Sequence, residues 1–394
     1  MARPRKVEFQ PRLAEFRQRA GLTQDQVAEH VGISAEMVRR HERGINMPIE
    51  LYRKKYCGLF GATEQDLGFR SVQLSAIQPT SQSVAGKSIP VEFADAAHLA
   101  KAHEHIREIV NLDNRFGGAD LVRLSTRFFN KLHEQLGTGA YDVRLERDFQ
   151  SVAGELAEVA GWLAYDSEEH DLARKMNQES LFYTRLSGDK VVELLTIQNS
   201  SMHAAAQGRP QEALNLARSV LEGDYRLSPR LRGLFLTRKA RAMAQCGDEK
   251  SLDLFPEIYS LYQDGVRGND PAWAWWVDER ELLWHEAMAQ RDLGLPLAVA
   301  QFERSAAAVP SDETRSQYVH GSYLLRSHVE NRSWEAAEGT LADLIPLSKD
   351  VASTRAVVLL RDVLSKLDAQ RPRLPSGLVE RATQLDTTLG DLAV

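Results

Sequence analysis

Apolar residues recur at i, i+3 and i+4 over nearly the whole chain after residue 91, with Glu and Arg between them. Period-2 runs of β-branched residues are missing. That spacing lays one apolar stripe along a helix and gives a sheet nothing to bury on one face, so an all-α protein is expected. The stretch 71–90, SVQLSAIQPTSQSVAGKSIP, breaks the pattern with five Ser, three Gln and two Pro, and Lys87 is its only charge. So little apolar surface predicts an extended, flexible linker over 70–90. It separates a head at 8–69 from a helical body at 91–392.

Three short helices are marked in the head by their ends. Pro11 suits a first turn, LAEFRQR follows, and Gly21 closes the helix. Thr23-Gln24-Asp25-Gln26 has the Thr-x-x-Gln form of a capping box, opening a second helix with Val27, Ala28 and Val31 inward and Gly32 as its stop. Ser34 caps a third, AEMVRRHER, which ends at Gly44. Helix, short turn, helix is the helix-turn-helix unit.

In the body, similar junctions recur: His170-Asp171-Leu172-Ala173, Gly208-Arg209-Pro210-Gln211-Glu212-Ala213, Gly247-Asp248-Glu249, Gly294-Leu295-Pro296 and Arg332-Ser333-Trp334-Glu335-Ala336-Ala337. Positions 170, 210, 249, 296 and 334 are 40, 39, 47 and 38 residues apart, which predicts a solenoid of helix pairs. Gly161 and Ala173 supply the small residues that close helix packing requires.

At 394 residues the chain is long for one domain. No stretch approaches about 18 uninterrupted apolar residues, so no membrane span is expected. The basic N-terminus has no apolar core behind it and is not a secretory signal. Cys57 and Cys246 are too few and too far apart for a disulfide framework, which fits a reducing cytoplasm. Charge is uneven. Residues 1–68 hold 12 Lys/Arg against 9 Asp/Glu, and the remainder 37 against 46. A basic head on an acidic body points to nucleic acid contacts confined to the head.

The segment LAEFRQRAGLTQDQVAEHVGISAEMVRRHERGINMP resembles the Cro/repressor-like (XRE) helix-turn-helix family. The matching features are Leu-Thr-Gln at the second helix, Ala28 at its packing position, Gly32-Ile33-Ser34 at the turn, and Val38 with Glu42-Arg43-Gly44 at the end of the third helix. YRKKYCGLFGATEQDLGF resembles the closing helices of such domains in actinobacterial regulators. The body's junctions resemble the turn of the tetratricopeptide (TPR) repeat, at a period above its usual length of roughly 34. The combination, with "NRFGGADLV" and "ELAEVAGWLAYD", resembles actinobacterial XRE regulators with a TPR body. In architecture it is also similar to the peptide-pheromone receptors of Gram-positive quorum sensing.

The resemblance implies where chemistry would lie. The third helix would enter the major groove with Ser34, Ala35, Glu36 and Met37 foremost, then Arg39 and Arg40. Glu36 and Arg40 are expected to contact bases, with Arg39 shared between base and phosphate. Gln24 and Arg43, and also Lys54 and Lys55, are expected on phosphates. A solvated face accounts equally well for Arg53, Lys54 and Lys55, and Glu36 also suits the helix dipole. His41 is expected to pack or face solvent. In a TPR body the first helix of each pair lines a concave groove. That implies Glu158, Trp162 and Tyr165, then Gln198 and Asn199, then Thr237, Arg238 and Arg241. Trp284 and His285 follow, less securely because the fourth pair is short, and finally Tyr323 and Arg326. Amides, guanidiniums and aromatic faces suit a short peptide or a small acidic ligand. Packing between repeats accounts equally well for any one of the aromatics.

Enzyme chemistry finds little support. His98, His103 and His105 lack the spacing of a zinc helix, RFGGAD and the glycines at 137–139 lack the strand and lysine of a phosphate loop, and no nucleophile elbow occurs. PAWAWWVDE reads as a packing or groove-edge segment. The expectation is therefore a cytoplasmic, nucleoid-associated transcriptional regulator without cofactor or metal. Its head binds double-stranded operator DNA, and its body forms a homodimer and senses a peptide or small-molecule effector. The alternative is a TPR interaction adaptor that its head tethers to DNA.

Overall fold

A computed structural model describes residues 12–391 apart from 32, 34, 44–47, 49, 65, 70–92, 119–120, 297 and 352, with the backbone alone at 36, 40, 50, 51, 116 and 391. Pro11, Gly32, Ser34, Gly44 and the expected linker at 71–90 lie outside the described residues. The chain is all-α, and among the described residues its only extended pairing is an isolated bridge between Ala94 and Tyr141. It divides into two compact units, Met1–Ile89 and Pro90–Val394.

The first unit holds α1 (Leu13–Arg19), α2 (Gln24–Val31), α3 (Ala35–Glu42) and α4 (Glu50–Phe60). Helix α2 starts where its sequence says. The Thr23 amide donates to Gln26 Oε1 at 2.8 Å and the Gln26 amide to Thr23 Oγ1 at 3.2 Å, so two end donors are satisfied reciprocally. Val27, Ala28 and Val31 are buried against Leu13, Val38, Tyr56, Leu67 and Phe69. The segment after α4 does not form the further helix expected. Gly61 and Gly68 both take positive φ, and Thr63 and Asp66 bond each other across a tight turn. That turn drops Leu67 and Phe69 into the core, and Leu67 accepts from the Arg12 amide at 2.9 Å.

The second unit opens with α5 (Ala96–Phe116) and α6 (Val122–Thr138) and continues as helix pairs. These are α7 (Glu146–Asp166) with α8 (His170–Ser187), α9 (Lys190–Ala206) with α10 (Pro210–Leu221), and α11 (Pro229–Gln245) with α12 (Phe255–Gln263). Then come α13 (Glu279–Asp292) with α14 (Ala298–Ala307), α15 (Thr314–Glu330) with α16 (Trp334–Leu347), and α17 (Thr354–Asp368) with α18 (Ser376–Asp391). Helices α7, α9, α11 and α13 touch in succession and form an inner row, while their partners pack outside. Helix α15 packs on α14 and α17, α5 touches α15 and α17 touches α7, so the first and last helices of this unit meet.

Every expected junction opens a second helix of a pair, or its 3₁₀ lead-in at Glu249. Two residues before each of positions 170, 210, 249, 296 and 334 the backbone turns left-handed. Gly208, Gly247 and Gly294 do this without a Cβ penalty, whereas Glu168 (φ 61°) and Arg332 (φ 57°) do it with one. The long interval before position 296 is taken up by the 3₁₀ turn Ala272–Trp276. There Trp273 donates to the Val191 carbonyl at 3.1 Å and stacks on Trp276, so PAWAWWVDE is a packing segment. Close approach of α7 and α8 depends on Gly161, where a Cβ would stand 2.5 Å from Asn177 Oδ1, and on buried Ala173. The glycines of RFGGAD have a packing role. Gly117 takes φ 83°, and a Cβ on Gly118 would overlap Leu163.

Candidate nucleic-acid interface and interior polar site

In the head, Val38 and His41 turn inward from α3, while Arg39, and Arg43 just beyond its end, stay exposed and Ala35 and Met37 are half-buried. Ser34 and the side chains of Glu36 and Arg40 lie outside the described residues. The relation of α2 to α3 is braced by Glu42, almost wholly buried at the end of α3. Its carboxylate takes Arg17 Nη2 of α1 at 3.1 Å and Gln24 Nε2 of α2 at 2.7 Å. The pairing raises the Arg17 pKa, chiefly through that hydrogen bond. Gln24 is thus at the N-terminus of α2 as expected, with its amide nitrogen engaged inside the domain. His41 is packed: its Nδ1 lies 3.0 Å from the Tyr56 hydroxyl, and burial pushes the Tyr56 pKa up. Arg53 is held by Glu64 at 3.1 Å and the Pro48 carbonyl at 3.0 Å. Lys54 is exposed and Lys55 half-buried.

The body residues expected on a concave wall do converge, in a mostly buried interior where they bond one another. Asn199 donates to Glu158 at 2.6 Å and accepts from Gln198 at 2.6 Å, and Gln198 Oε1 accepts from Arg238 at 2.8 Å. Arg238 meets His285, and both lean on Glu281, at 3.5 and 2.9 Å. Thr237 is spent on the Leu234 carbonyl of its own helix. Arg241 lies 5.5 Å over the Trp284 ring, Trp284 meets Tyr323 edge-on at 5.1 Å, and Arg326 lies 4.8 Å over Tyr323. Trp162 packs on Tyr165 and donates to Asp113 at 2.9 Å. Trp284 and Tyr323 are also core, clustered with Met288, Ala298 and Phe302. Although the fourth pair is short, Trp284 and His285 face inward.

Electrostatics inside follow from burial. Desolvation raises the Glu158 carboxyl to about 8 against the pull of Asn199, so it is largely protonated at neutral pH. It lowers His285 to about 3, helped by Arg238, and His320 to about 4, so both rings are neutral. Glu281 is held at about 2, because His285 and Arg238 outweigh its burial.

The counterions of this interior were not foreseen. Asp166 of α7 forms ion pairs with Arg315 at 3.1 Å and Arg355 at 3.2 Å, and accepts from Ser353 at 3.1 Å. Arg355 lies 5.0 Å over Tyr165, joining α17 to α7. The Ser353 and Arg355 contacts reach across nearly 190 positions, which no local spacing signals. Glu281 and His285, four apart on an inner helix, carried the one local signal.

The histidines of HLAKAHEH diverge. His98 completes a capping box with Asp95, His103 leans toward Glu155 at 3.7 Å, and His105 stacks on Phe128. Among the described residues no three His, Cys, Asp or Glu side chains could hold a metal ion, and no helix is long and apolar enough to cross a membrane.

Residues 11–66 match a protein-family model described as a helix-turn-helix domain. No curated protein and no solved structure matches the chain. The match covers α1 to α4 and the turn after them, and ends before the body begins. The chain therefore carries a helix-turn-helix domain, the DNA-binding module of regulators, joined to a second all-α unit.

Proposed function

We propose that the chain is a sequence-specific transcriptional regulator of the XRE type, with a head at 8–69, a linker at 70–90 and a TPR-like body at 91–392. The observation that carries the reading is the family match at 11–66, laid on helices whose mutual angle is fixed by the Arg17–Glu42–Gln24 brace. A rigid α2–α3 pair is what allows α3 to enter the major groove in one register. Glu36 and Arg40 would meet base edges and Arg39 a base or phosphate, while Gln24, Arg43, Lys54 and Lys55 would approach the backbone.

The body would dimerise and sense a peptide or small molecule. One head contacts one half-site, and useful affinity calls for two. Exposed Phe182 and Leu186 on α8, Val191 on α9 and Trp275 give the body apolar surface suited to a second copy. A charged interior in which the first and last helices of this unit meet gives it an element that a ligand can open or close. The reading is tested by selecting bound duplexes from random DNA with the full chain. Enrichment of a two-fold symmetric site supports it. Uniform recovery, with affinity set by salt alone, contradicts it.

A further inference from the structure

Away from the polar interior, helices α5 and α6 each pack on α7, and a cleft of about 330 Å³ opens between them. That volume is at the low end for a ligand site and suits a small molecule rather than an extended peptide. The floor is buried and apolar, made by Leu132 of α6 with Phe149 and Leu156 of α7. Half-buried Ala102, His105 and Phe128 form the walls, and exposed Lys101 and Lys131 stand at the mouth. Two contacts fix how the walls face each other. Ala94, just before α5, pairs with Tyr141, just after α6, and further along α5 His105 stacks on Phe128 at 4.3 Å. Between these anchors the two helices run antiparallel, which brings Lys101 of α5 level with Lys131 of α6. No Asp or Glu lines the cleft, in a body where acidic residues outnumber basic ones. Asp95 stands at one end, held by His98 at 2.8 Å, and Glu104 and Glu108 act on His105 from its own helix. Burial, and then Lys101, still hold the His105 pKa below its ordinary value, so the ring is neutral at neutral pH and the charge at the mouth is that of the lysines. Two cations over a dry apolar floor complement an acidic head on an apolar tail.

We propose that this cleft binds a small anionic amphiphile, its acidic head between Lys101 and Lys131 and its aliphatic tail on Leu132, Phe149 and Leu156. The assignment gives the effector of the proposed sensor a chemical class and a place. As an effector, though not as a ligand, it rests on that reading. An occupant bears on α5 and α6 together, and α5 also touches α15. Filling the cleft therefore acts where the first and last helices of the unit meet.

The test is calorimetric titration of the full chain with octanoate, octanamide, acetate and inorganic phosphate at constant ionic strength. Octanoate should bind at least about tenfold more tightly than octanamide, which lacks the charge, and than acetate or phosphate, which lack the tail. Lys101→Met combined with Lys131→Met keeps the apolar stems and removes the charges, so octanoate should fall to the level of octanamide. Both side chains are exposed, and the ligand-free unfolding midpoint should stay where it is. Ala102→Phe fills the trough from its wall and should abolish octanoate binding. Octanamide, acetate or phosphate binding as tightly as octanoate overturns the proposal, as does an absence of octanoate binding to the unaltered chain. Octanoate affinity that survives both the lysine pair and Ala102→Phe puts the ligand elsewhere and overturns it too. Either variant decides the location alone if the other does not fold. DNA affinity measured with and without octanoate separates the two readings. Binding in the cleft with unchanged DNA affinity keeps the site and removes its role as the effector's.

Discussion

Glu158 is a carboxyl group placed where ionisation is harder than it is in water. With its folded pKa at about 8 against an ordinary 4.5, the folded chain keeps a proton that the unfolded chain releases. Stability from this residue is complete below pH 4.5 and is lost as pH rises toward 8. His285 and His320 act in the opposite sense, because their lowered values remove stability as pH falls below 6.5. Glu158→Gln should therefore stabilise the chain at pH 8 by on the order of a few kcal/mol, the gain vanishing toward pH 4. Denaturant melts of both proteins at the two pH values check it, and equal gains at both would show that the carboxyl is ionised in the fold. Gly161 is a packing case. Its Cβ has no room beside Asn177, so Gly161→Ala should destabilise by about 1–3 kcal/mol in the same assay. A neutral substitution would mean that α8 can yield there.

Helix ends were the most legible features of the sequence, because a cap is a local agreement between a few neighbouring residues. Thr23 with Gln26, and the junctions at 170, 210 and 334, give helix starts that the structure reproduces. The inner row was legible in the same way: counting back from each junction placed Glu158, Gln198, Arg238, His285 and Tyr323 inside. What they do there was not legible, since Asp166 with Arg355 and Arg238 with Glu281 are joined by helix packing and not by spacing. The turn after α4 departs from the closing helix that the family resemblance implies, because Gly61 and Gly68 decide the backbone. The left-handed junctions carry a prediction of their own. Arg332→Gly should raise stability by about 1 kcal/mol, because glycine relieves the Cβ penalty that three sister junctions already avoid. Glu168→Gly should gain less, because Glu168 also bonds His170 at 3.1 Å. A loss at position 332 would show that its side chain outweighs the backbone term.

At the scale of the whole molecule, the proposed function divides labour between a small domain that would read DNA and a larger one that would report a signal. The brace at Glu42 belongs to the first. Glu42→Gln leaves Arg17 without its charged partner and should lower the head's stability by about 2 kcal/mol, lowering DNA affinity at every sequence alike. A ligand in the body can shift the equilibrium between two forms only by its differential affinity for them. A useful response therefore needs at least about tenfold preference. The central claim is that α3 reads sequence, and the most direct test is a competition titration of the selected operator against scrambled duplex for the unaltered chain, Arg40→Ala and Gln24→Ala. Arg40→Ala should lose about 1–3 kcal/mol of discrimination at one base pair, while Gln24→Ala should weaken both duplexes equally. If both variants keep the unaltered chain's affinity and its preference for the operator, α3 is not the reading helix and the claim is contradicted.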